Sequence, residues 1–227
     1  MIDGSVYQTP FSPIGNSAIA FAPHPDDETL GCGGTLALHA LNNDPVTVVF
    51  LTNGSKGDFA GRYPNLAEYV QIREEEAKKA CAELGVKRVM FLNYQDRELK
   101  NKSQQLCAEL RQICWLLRPT IAYIPAQTEN HPDHRTAQDC FWQILDQTKI
   151  HTVMQYETKP PTVINAAVDI THVMDRKTKA CEHYISQLEV YDYKTAIEGL
   201  NRYRALLFEP SVRYVEGFFI TSMRHRS

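Results

Sequence analysis

Residues 17–28 read SAIAFAPHPDDE, a short apolar run that gives way at once to a cluster of ionisable side chains. The run ends at Ala22 and is followed by Pro23, which favours a buried strand over a helix. One imidazole and three carboxylates then follow within five residues, at His24, Asp26, Asp27 and Glu28. A cluster of this kind directly after a buried strand is a candidate ligand site, because α/β sheets bind ligands at the carboxyl ends of their strands.

Strand and helix patterns alternate along the rest of the N-terminal two thirds. Further buried strands are predicted at residues 46–51, 88–92 and 120–124. Amphipathic helices are predicted between them at residues 66–84 and 103–117. Gly85 is a suitable C-cap for the first helix, Ser103 a suitable N-cap for the second, and Pro119 lies just beyond its end. The alternation predicts an α/β fold, a mostly parallel sheet with helices on both faces.

The C-terminal third has a less regular pattern. It predicts strands at residues 152–156, 163–170 and 214–221, and helices at 172–187 and 195–207. Composition does not shift anywhere along the 227 residues, and no internal repeat is present. We therefore expect a single domain over residues 1–227.

Composition and charge argue against several classes of partner. The 24 basic and 27 acidic residues give a formal net charge of −3, without the basic footprint of a nucleic-acid binder or a polybasic patch for a membrane surface. A small-molecule substrate is expected. No apolar run reaches the roughly 20 residues that span a bilayer, and the N-terminus lacks a secretory pattern, so a cytoplasmic location is expected. The six cysteines form no CxxC pair and are expected to be reduced and mostly buried.

A second ionisable cluster, His131-Pro132-Asp133-His134, follows the predicted strand at 120–124 after a short loop. The two clusters should therefore meet at one edge of the sheet, where they would form a divided metal site. Each cluster alone has a simpler explanation, an Asp that caps a helix near Glu28 or a Pro and Asp that open a helix at 132. The presence of both, in register, favours the metal site. Spacing alone does not decide which histidine of the second cluster binds the metal.

These motifs resemble the PIG-L/LmbE-like family of metal-dependent N-deacetylases, which includes the N-acetylglucosaminyl-phosphatidylinositol deacetylase and the deacetylases of mycothiol and bacillithiol synthesis. The resemblance covers most of the chain. It rests on APHPDDE (22–28) with LGCGGT (30–35), LTNGSKG (51–57), REEEA (73–77) with LG (84–85), NYQD (93–96) and HPDH (131–134). It implies a Rossmann-like fold, a zinc ion, and release of acetate from an N-acetylated amino sugar or sugar conjugate.

The resemblance also implies a role for each residue of the two clusters. His24, Asp27 and His134 would bind the metal, which would hold the attacking water, and Asp26 would be the general base. His131 would stabilise the oxyanion or protonate the departing amine, and Asp133 is suited to orienting an imidazole. Zinc, iron(II) and cobalt all suit such a ligand set, so another divalent metal remains open.

Substrate contacts are implied at Arg73 and Asp96, although a surface ion pair for Arg73 and a local turn for Asp96 are equally open. In some relatives a Tyr stands where this chain has Glu129. That carboxylate would either favour a cationic or hydroxyl-rich substrate or belong to the loop surface. The loop at 55–64 is a candidate lid.

Two other functions remain open at this stage. One is a metal-dependent amidase or esterase that acts on a different acyl substrate. The other is a metal-binding or glycan-binding module without turnover, although binding alone would not require Asp26 and His131. The sequence also leaves open whether the chain forms a homo-oligomer.

Overall fold

The computed structural model describes residues 10–222, which form seven strands and seven α-helices. The strands are β1 (Ala18–Ala22), β2 (Val46–Thr52), β3 (Arg88–Tyr94), β4 (Ile121–Pro125), β5 (Thr152–Tyr156), β6 (Ala166–Asp169) and β7 (Val215–Ser222). The helices are α1 (Asp27–Leu41), α2 (Leu66–Leu84), α3 (Ser103–Leu117), α4 (Pro132–Ile144), α5 (Met174–Glu182), α6 (Ile185–Leu188) and α7 (Tyr193–Ala205).

All seven strands belong to one sheet, in the order β3-β2-β1-β4-β5-β7-β6. The first five strands pair in parallel, and β7 is antiparallel to both of its neighbours. β1 lies between β2 and β4, so the strand order reverses beside it. The carboxyl ends of β1 and β4 flank the crevice where α/β sheets bind ligands. The predicted α/β fold with a mostly parallel sheet is confirmed.

β1 is buried along its whole length because its alternate side chains enter two different cores. Ala18, Ala20 and Ala22 pack in a core that includes residues of α1, α2 and α5. Ile19 and Phe21 pack in a core built with α3 and α4. The expectation of helices on both faces is therefore confirmed.

The bounds of α2 and α3 agree with the sequence prediction, and Gly85 ends α2 in the left-handed conformation with φ 81°. Ser103 is the first residue of α3 and not its N-cap. Lys102 takes the N-cap position, because a 3₁₀ turn from Leu99 to Lys102 runs directly into the helix.

The single helix predicted at 172–187 is wrong, since the chain breaks between α5 and α6. The start of α6 is held from outside the segment: the buried Glu76 carboxylate accepts hydrogen bonds from the Ser186 backbone N–H at 2.8 Å and its hydroxyl at 2.6 Å. A tertiary contact thus supplies the cap, and the local pattern does not reveal it.

The strand predicted at 163–170 is shorter and begins at Ala166. Val163 is 77% exposed and lies outside the sheet. The Asn165 side chain bonds to the backbone N–H and carbonyl of Ile220, which replaces regular strand pairing at that point.

α1 is broken near its middle, where the backbone of Cys32 is not helical (φ −142°, ψ 16°). A buried ion pair fills the break: Lys177 Nζ lies 2.7 Å from Glu216 Oε1 and donates to the Leu30 carbonyl at 2.9 Å. Glu216 in turn accepts two backbone N–H groups of the second half of α1, each at 2.8 Å. The pair therefore satisfies the polar groups that the break leaves without helical partners.

Two glycines of α1 allow close packing next to the ligand edge. A Cβ added at Gly31 would lie 2.2 Å from the Tyr156 ring, and one at Gly34 would lie 2.7 Å from Ile170. Glycine at these two positions therefore allows α1 to pack closely against Tyr156 and Ile170. Gly33 differs, because a Cβ there would meet its neighbours at an ordinary 3.5 Å.

All six cysteines are free thiols, and only Cys107 is partly exposed, as the spacing predicted. Among residues 10–222, no helix has the length and apolar character needed to cross a bilayer.

We expect the substitution Lys177→Met to lower the free energy of unfolding by about 3–5 kcal/mol, because it leaves the buried Glu216 carboxylate without its cation. Urea unfolding followed by circular dichroism measures the loss. The matched control, Lys78→Met, removes an exposed ion pair with Glu75 and should change stability little. The double variant K177M/E216Q should recover part of the loss. Equal stability of the K177M and K78M variants would contradict this account.

Candidate metal centre

Three donor atoms converge where β1 leads into α1 and α4 begins. His24 Nδ1, Asp27 Oδ2 and His134 Nε2 lie between 3.1 and 3.2 Å from one another. Ligand atoms around a tetrahedral zinc ion, with bonds of about 2.0–2.1 Å, are about 3.3 Å apart. The three atoms therefore fit one metal ion and leave a further coordination position open. The structure thus brings together the three residues that the resemblance assigned to the metal.

The geometry of this site is fixed in part by the backbone. The Asp27 carboxylate accepts the backbone N–H of His24 at 2.8 Å, which holds both residues on one turn. His134 lies in the first turn of α4, which Pro132 opens and His131 caps through its side chain. The helix-opening explanation of the second cluster is therefore correct, and it coexists with the donor geometry.

Carboxylates orient both imidazoles from behind. His24 Nε2 hydrogen-bonds Asp133 Oδ2 at 3.3 Å and lies 3.3 Å from Asp96 Oδ1, so Nδ1 is left for the metal. Asp133 is itself held by the backbone N–H groups of Arg97 at 2.6 Å and Leu99 at 3.3 Å. The imidazole that Asp133 orients is thus His24. Asp96 lies in a turn that the Glu98 N–H closes on the Gln95 carbonyl at 3.1 Å, but its carboxylate accepts the backbone N–H of Lys56 and not an N–H of its own turn.

Glu129 takes the same position behind the second imidazole. Its Oε2 lies 3.5 Å from His134 Nδ1, and its Oε1 accepts the Thr158 hydroxyl at 2.5 Å and backbone N–H at 3.2 Å. Glu129 is buried, so the expectation that it belongs to the loop surface is wrong. A carboxylate behind a ligating histidine fixes its tautomer and raises its basicity.

The charges of this cluster are strongly coupled. Burial lowers the pKa of His134, but Asp27 and Glu129 outweigh it and raise the pKa to about 9. Burial raises the pKa of Asp27, but the two imidazoles hold it well below its usual range. The imidazoles therefore carry protons when no metal is bound, and metal binding must displace them, so metal affinity should increase with pH.

His131 differs from the other two histidines. It also lies close enough to contribute to a metal group, with its ring centroid 4.6 Å from that of His24. Its Nδ1 accepts the Asp133 backbone N–H at 3.2 Å, so the neutral ring carries its proton on Nε2. Burial and the two neighbouring imidazoles lower the pKa of His131 to about 4. At neutral pH it is an uncharged N–H donor.

Asp26 has a backbone conformation that non-glycine residues rarely adopt, with φ 136°. It stands at the N-cap position of α1, but its side chain makes no capping hydrogen bond, so the explanation of Asp26 as a helix cap is wrong. Its carboxylate instead lies 3.4 Å from Arg73 Nη2. The Glu28 carboxylate accepts the Asp26 backbone N–H at 3.2 Å and helps to hold this conformation.

The environment of Asp26 suits a proton acceptor. Burial raises the pKa of Asp26 to about 6, although the positive charge of the Arg73 guanidinium acts in the opposite direction. Arg73 is only 2% exposed and also donates to the Pro25 carbonyl and the Tyr69 hydroxyl, so the surface ion pair is the wrong explanation for it. The adjacent Asp26 and Asp27 thus diverge, one toward the guanidinium and the other toward the histidines.

A cavity of about 750 Å³ opens over these groups. Seven of the eight sequence-predicted site residues line the cavity. The eighth, Asp133, lies directly behind His24. Sequence reasoning missed a second wall, formed by Lys159, Pro160, Gln187 and Tyr193. Lys159 follows β5, so the argument from strand ends would have found it had it been applied to the strand predicted at 152–156. No sequence signal marks Gln187 or Tyr193.

Comparison with known proteins points to one family. A family model described as GlcNAc-PI de-N-acetylase (PIG-L) matches residues 19–145. The diacetylchitobiose deacetylase of Thermococcus kodakarensis is 28% identical over 93% of this chain and 87% of its own length. A probable N-acetyl-alpha-D-glucosaminyl L-malate deacetylase 2 of Bacillus cereus is 28% identical over 74% of this chain and 81% of its own length.

Solved structures give the same fold. The N,N'-diacetylchitobiose deacetylase of Pyrococcus horikoshii superposes with a TM-score of 0.76 at 26% identity, covering 92% of this chain and 85% of that one. The 4-carboxy-2-hydroxymuconate hydratase of Pseudomonas putida also superposes, with a TM-score of 0.72 at 22% identity over 92% of this chain and 98% of that one. The fold alone therefore does not determine the reaction.

The substitution Glu129→Gln is expected to weaken metal binding by about 10- to 100-fold, because it replaces the carboxylate behind His134 with a neutral amide. Titration of the apo protein with cobalt(II), followed by absorption, measures the affinity. Glu157→Gln is the control for loss of a buried carboxylate, since Glu157 pairs with Arg204 away from the cavity. An affinity that falls equally in both variants would count against a specific contact with His134.

Proposed function

Because the chain belongs to the PIG-L family of GlcNAc-PI de-N-acetylases, we propose that it is a metal-dependent hydrolase that removes the acetyl group from an N-acetylated amino sugar or sugar conjugate. The observation that carries the proposal is the convergence of three donor atoms beside a buried carboxylate that does not join them. A hydrolase needs both parts, an electrophilic metal and a separate proton acceptor.

His24, Asp27 and His134 would hold the metal, and zinc, iron(II) or cobalt(II) suits this donor set. When bound, the ion would acidify a water molecule and polarise the amide carbonyl. Asp96, Asp133 and Glu129 keep the imidazoles in the tautomers that present the correct nitrogen.

Asp26 is the general base in this proposal. Its carboxylate is ionised at neutral pH, yet its pKa of about 6 keeps it a useful acceptor for the proton of the attacking water. Once protonated, Asp26 can return that proton to the departing nitrogen. Arg73 holds the carboxylate in place and stabilises its charged form.

His131 stabilises the negative charge that develops on the carbonyl oxygen. Its Nδ1 is occupied by the Asp133 backbone N–H, so Nε2–H is the group available to donate. A neutral ring with a low pKa suits this role better than protonation of the amine. Arg73 and Asp96 line the cavity and remain predicted substrate contacts. Each also contacts a group of the protein, Arg73 the Asp26 carboxylate and Asp96 the backbone N–H of Lys56.

The substitution Asp26→Asn should keep one equivalent of metal and lower kcat for acetate release by roughly 10²- to 10⁴-fold, because the amide cannot accept the proton. Metal analysis and acetate release from a panel of N-acetylated amino sugars measure both. The control is Asp175→Asn, an exposed aspartate in α5. Turnover equal to that of the control would reject Asp26 as the base. A wild-type protein that cleaves sugar esters or other acyl amides, but no N-acetyl sugar, would reject the proposed function.

The pH dependence of kcat/KM should show activity lost on the acid side as Asp26 becomes protonated. The pKa of Asp26 is about 6 and a bound cation lowers it further, so this limb should lie at or below pH 6. Replacing Arg73 by Met removes a positive charge that lowers this pKa, so the limb should move to higher pH. Arg73→Lys keeps the positive charge, so its acid limb should lie between those of the wild type and the R73M variant.

The control for this measurement is the exposed Arg202, whose replacement by Met should leave the limb in place. Circular dichroism of each variant shows whether it is folded. An acid limb that does not move in the folded R73M variant would show that another group controls it.

A further inference from the structure

Three cationic side chains surround the mouth of the cavity. Lys56, Arg97 and Lys159 line it, and each follows the carboxyl end of a different strand, namely β2, β3 and β5. All three residues are exposed, whereas Asp26, Asp27 and His134 below them are buried. The cavity therefore has a floor that suits a metal and a mouth that is positively charged.

These cations have no carboxylate partners. Among the residues that the structure describes, none of the three takes part in an ion pair within 4.0 Å. The nearby Arg62, in contrast, is paired with Glu189 at 2.6 Å and does not line the cavity. A chain with a net charge of −3 thus places three cations at one opening without a carboxylate in direct contact with them, although Asp26 and Asp27 in the same cavity act on Lys159 over a longer distance. Such an arrangement attracts anions.

Two of the three cations are held by specific contacts. Arg97 has a left-handed backbone (φ 69°), and its N–H is bound by Asp133, the same carboxylate that orients His24. Lys159 Nζ lies 5.8 Å from the ring centroids of both Tyr191 and Tyr193. Contacts with neighbouring residues therefore place the backbone of Arg97 and the ammonium group of Lys159 at the cavity.

Apolar groups also line the cavity. Phe59 and Tyr193 contribute aromatic rings, and Pro132 and Pro160 belong to the lining as well. At about 750 Å³ the cavity is toward the upper end of the usual range of about 300–1,000 Å³ for small-ligand sites. It has room for a group attached to the amino sugar.

We infer that the substrate carries an anionic group, a carboxylate or a phosphate, on the part that extends beyond the acetamido sugar, and that Lys56, Arg97 and Lys159 bind it. This inference rests on the proposed function and narrows it. The buried floor would take the acetamido group, and the apolar walls would contact the sugar. A charge on the attached group would then meet the cations at the mouth, where charge-assisted hydrogen bonds are available.

The test compares glycosides of N-acetylglucosamine that differ only in charge. The carboxymethyl glycoside is matched with its carboxamide, and N-acetylglucosamine 1-phosphate is matched with the neutral methyl glycoside. The ratio of kcat/KM within each pair is measured at low and high ionic strength. We expect the anionic member to be preferred by at least about tenfold at low salt, with a smaller preference at high salt. The pair with the larger ratio identifies the anion as carboxylate or phosphate.

Variants locate the preference on the protein. The double variant R97Q/K159Q should bring the ratio close to one. Lys149→Gln is the matched control, because Lys149 is exposed and precedes β5, at the opposite edge of the sheet. A wild-type ratio near one in both pairs, or a ratio that the double variant leaves unchanged, would overturn the inference.

A binding measurement distinguishes a failure of this inference from a failure of the proposed function. Calorimetry of the same glycosides with the metal-loaded Asp26→Asn variant measures recognition without turnover. Hydrolysis of charged and neutral glycosides at equal rates would overturn only the anion site. Tighter binding of the anionic member, with no acetate release by the wild type, would overturn the proposed reaction and support the anion site.

Discussion

The buried ion pair between Lys177 and Glu216 is the contact on which the arrangement of the chain depends. It joins α5 and β7 to the break in α1, the helix whose first residue is the candidate ligand Asp27. The family match ends at residue 145, so the pair links the matched part of the chain to the remaining part. Burial of two charges is unfavourable unless their hydrogen bonds are satisfied. Here the ends of two half-helices supply those bonds, and α1 can follow the sheet while it carries the site.

The carboxylates of the candidate site differ in their properties because each has a different environment. Asp27 lies against two imidazoles, which hold its pKa well below the usual range, and an ionised carboxylate suits the proposed role of metal ligand. Asp26, beside it in sequence, faces a guanidinium in a buried setting and has a pKa near that of a useful base. Asp133 and Glu129 lie behind the imidazoles of the proposed ligands, 3.3 Å from His24 Nε2 and 3.5 Å from His134 Nδ1. The position of each carboxylate relative to the neighbouring cations thus determines its pKa and the contacts that it makes.

The sequence was sufficient for features that depend on local pattern. It predicted the strands near both clusters and the bounds of α2 and α3, because hydrophobic period and end signals act within a few residues. It failed where a distant group decides the outcome, as when Glu76 caps α6 and interrupts a continuous helical pattern. The same limit applies to the site. Strand order predicted that the clusters would meet, but the contact of Glu129 with His134 and the wall at Tyr193 depend on tertiary packing.

The strained backbone of Asp26 lowers stability at the position of the proposed base. At φ 136° glycine is the residue that fits without strain, and a glycine there would relax the turn between β1 and α1. That exchange would also delete the carboxylate beside Arg73. Replacement by glycine would thus gain stability and lose the proposed base, and a strained backbone of this kind is typical of functional sites.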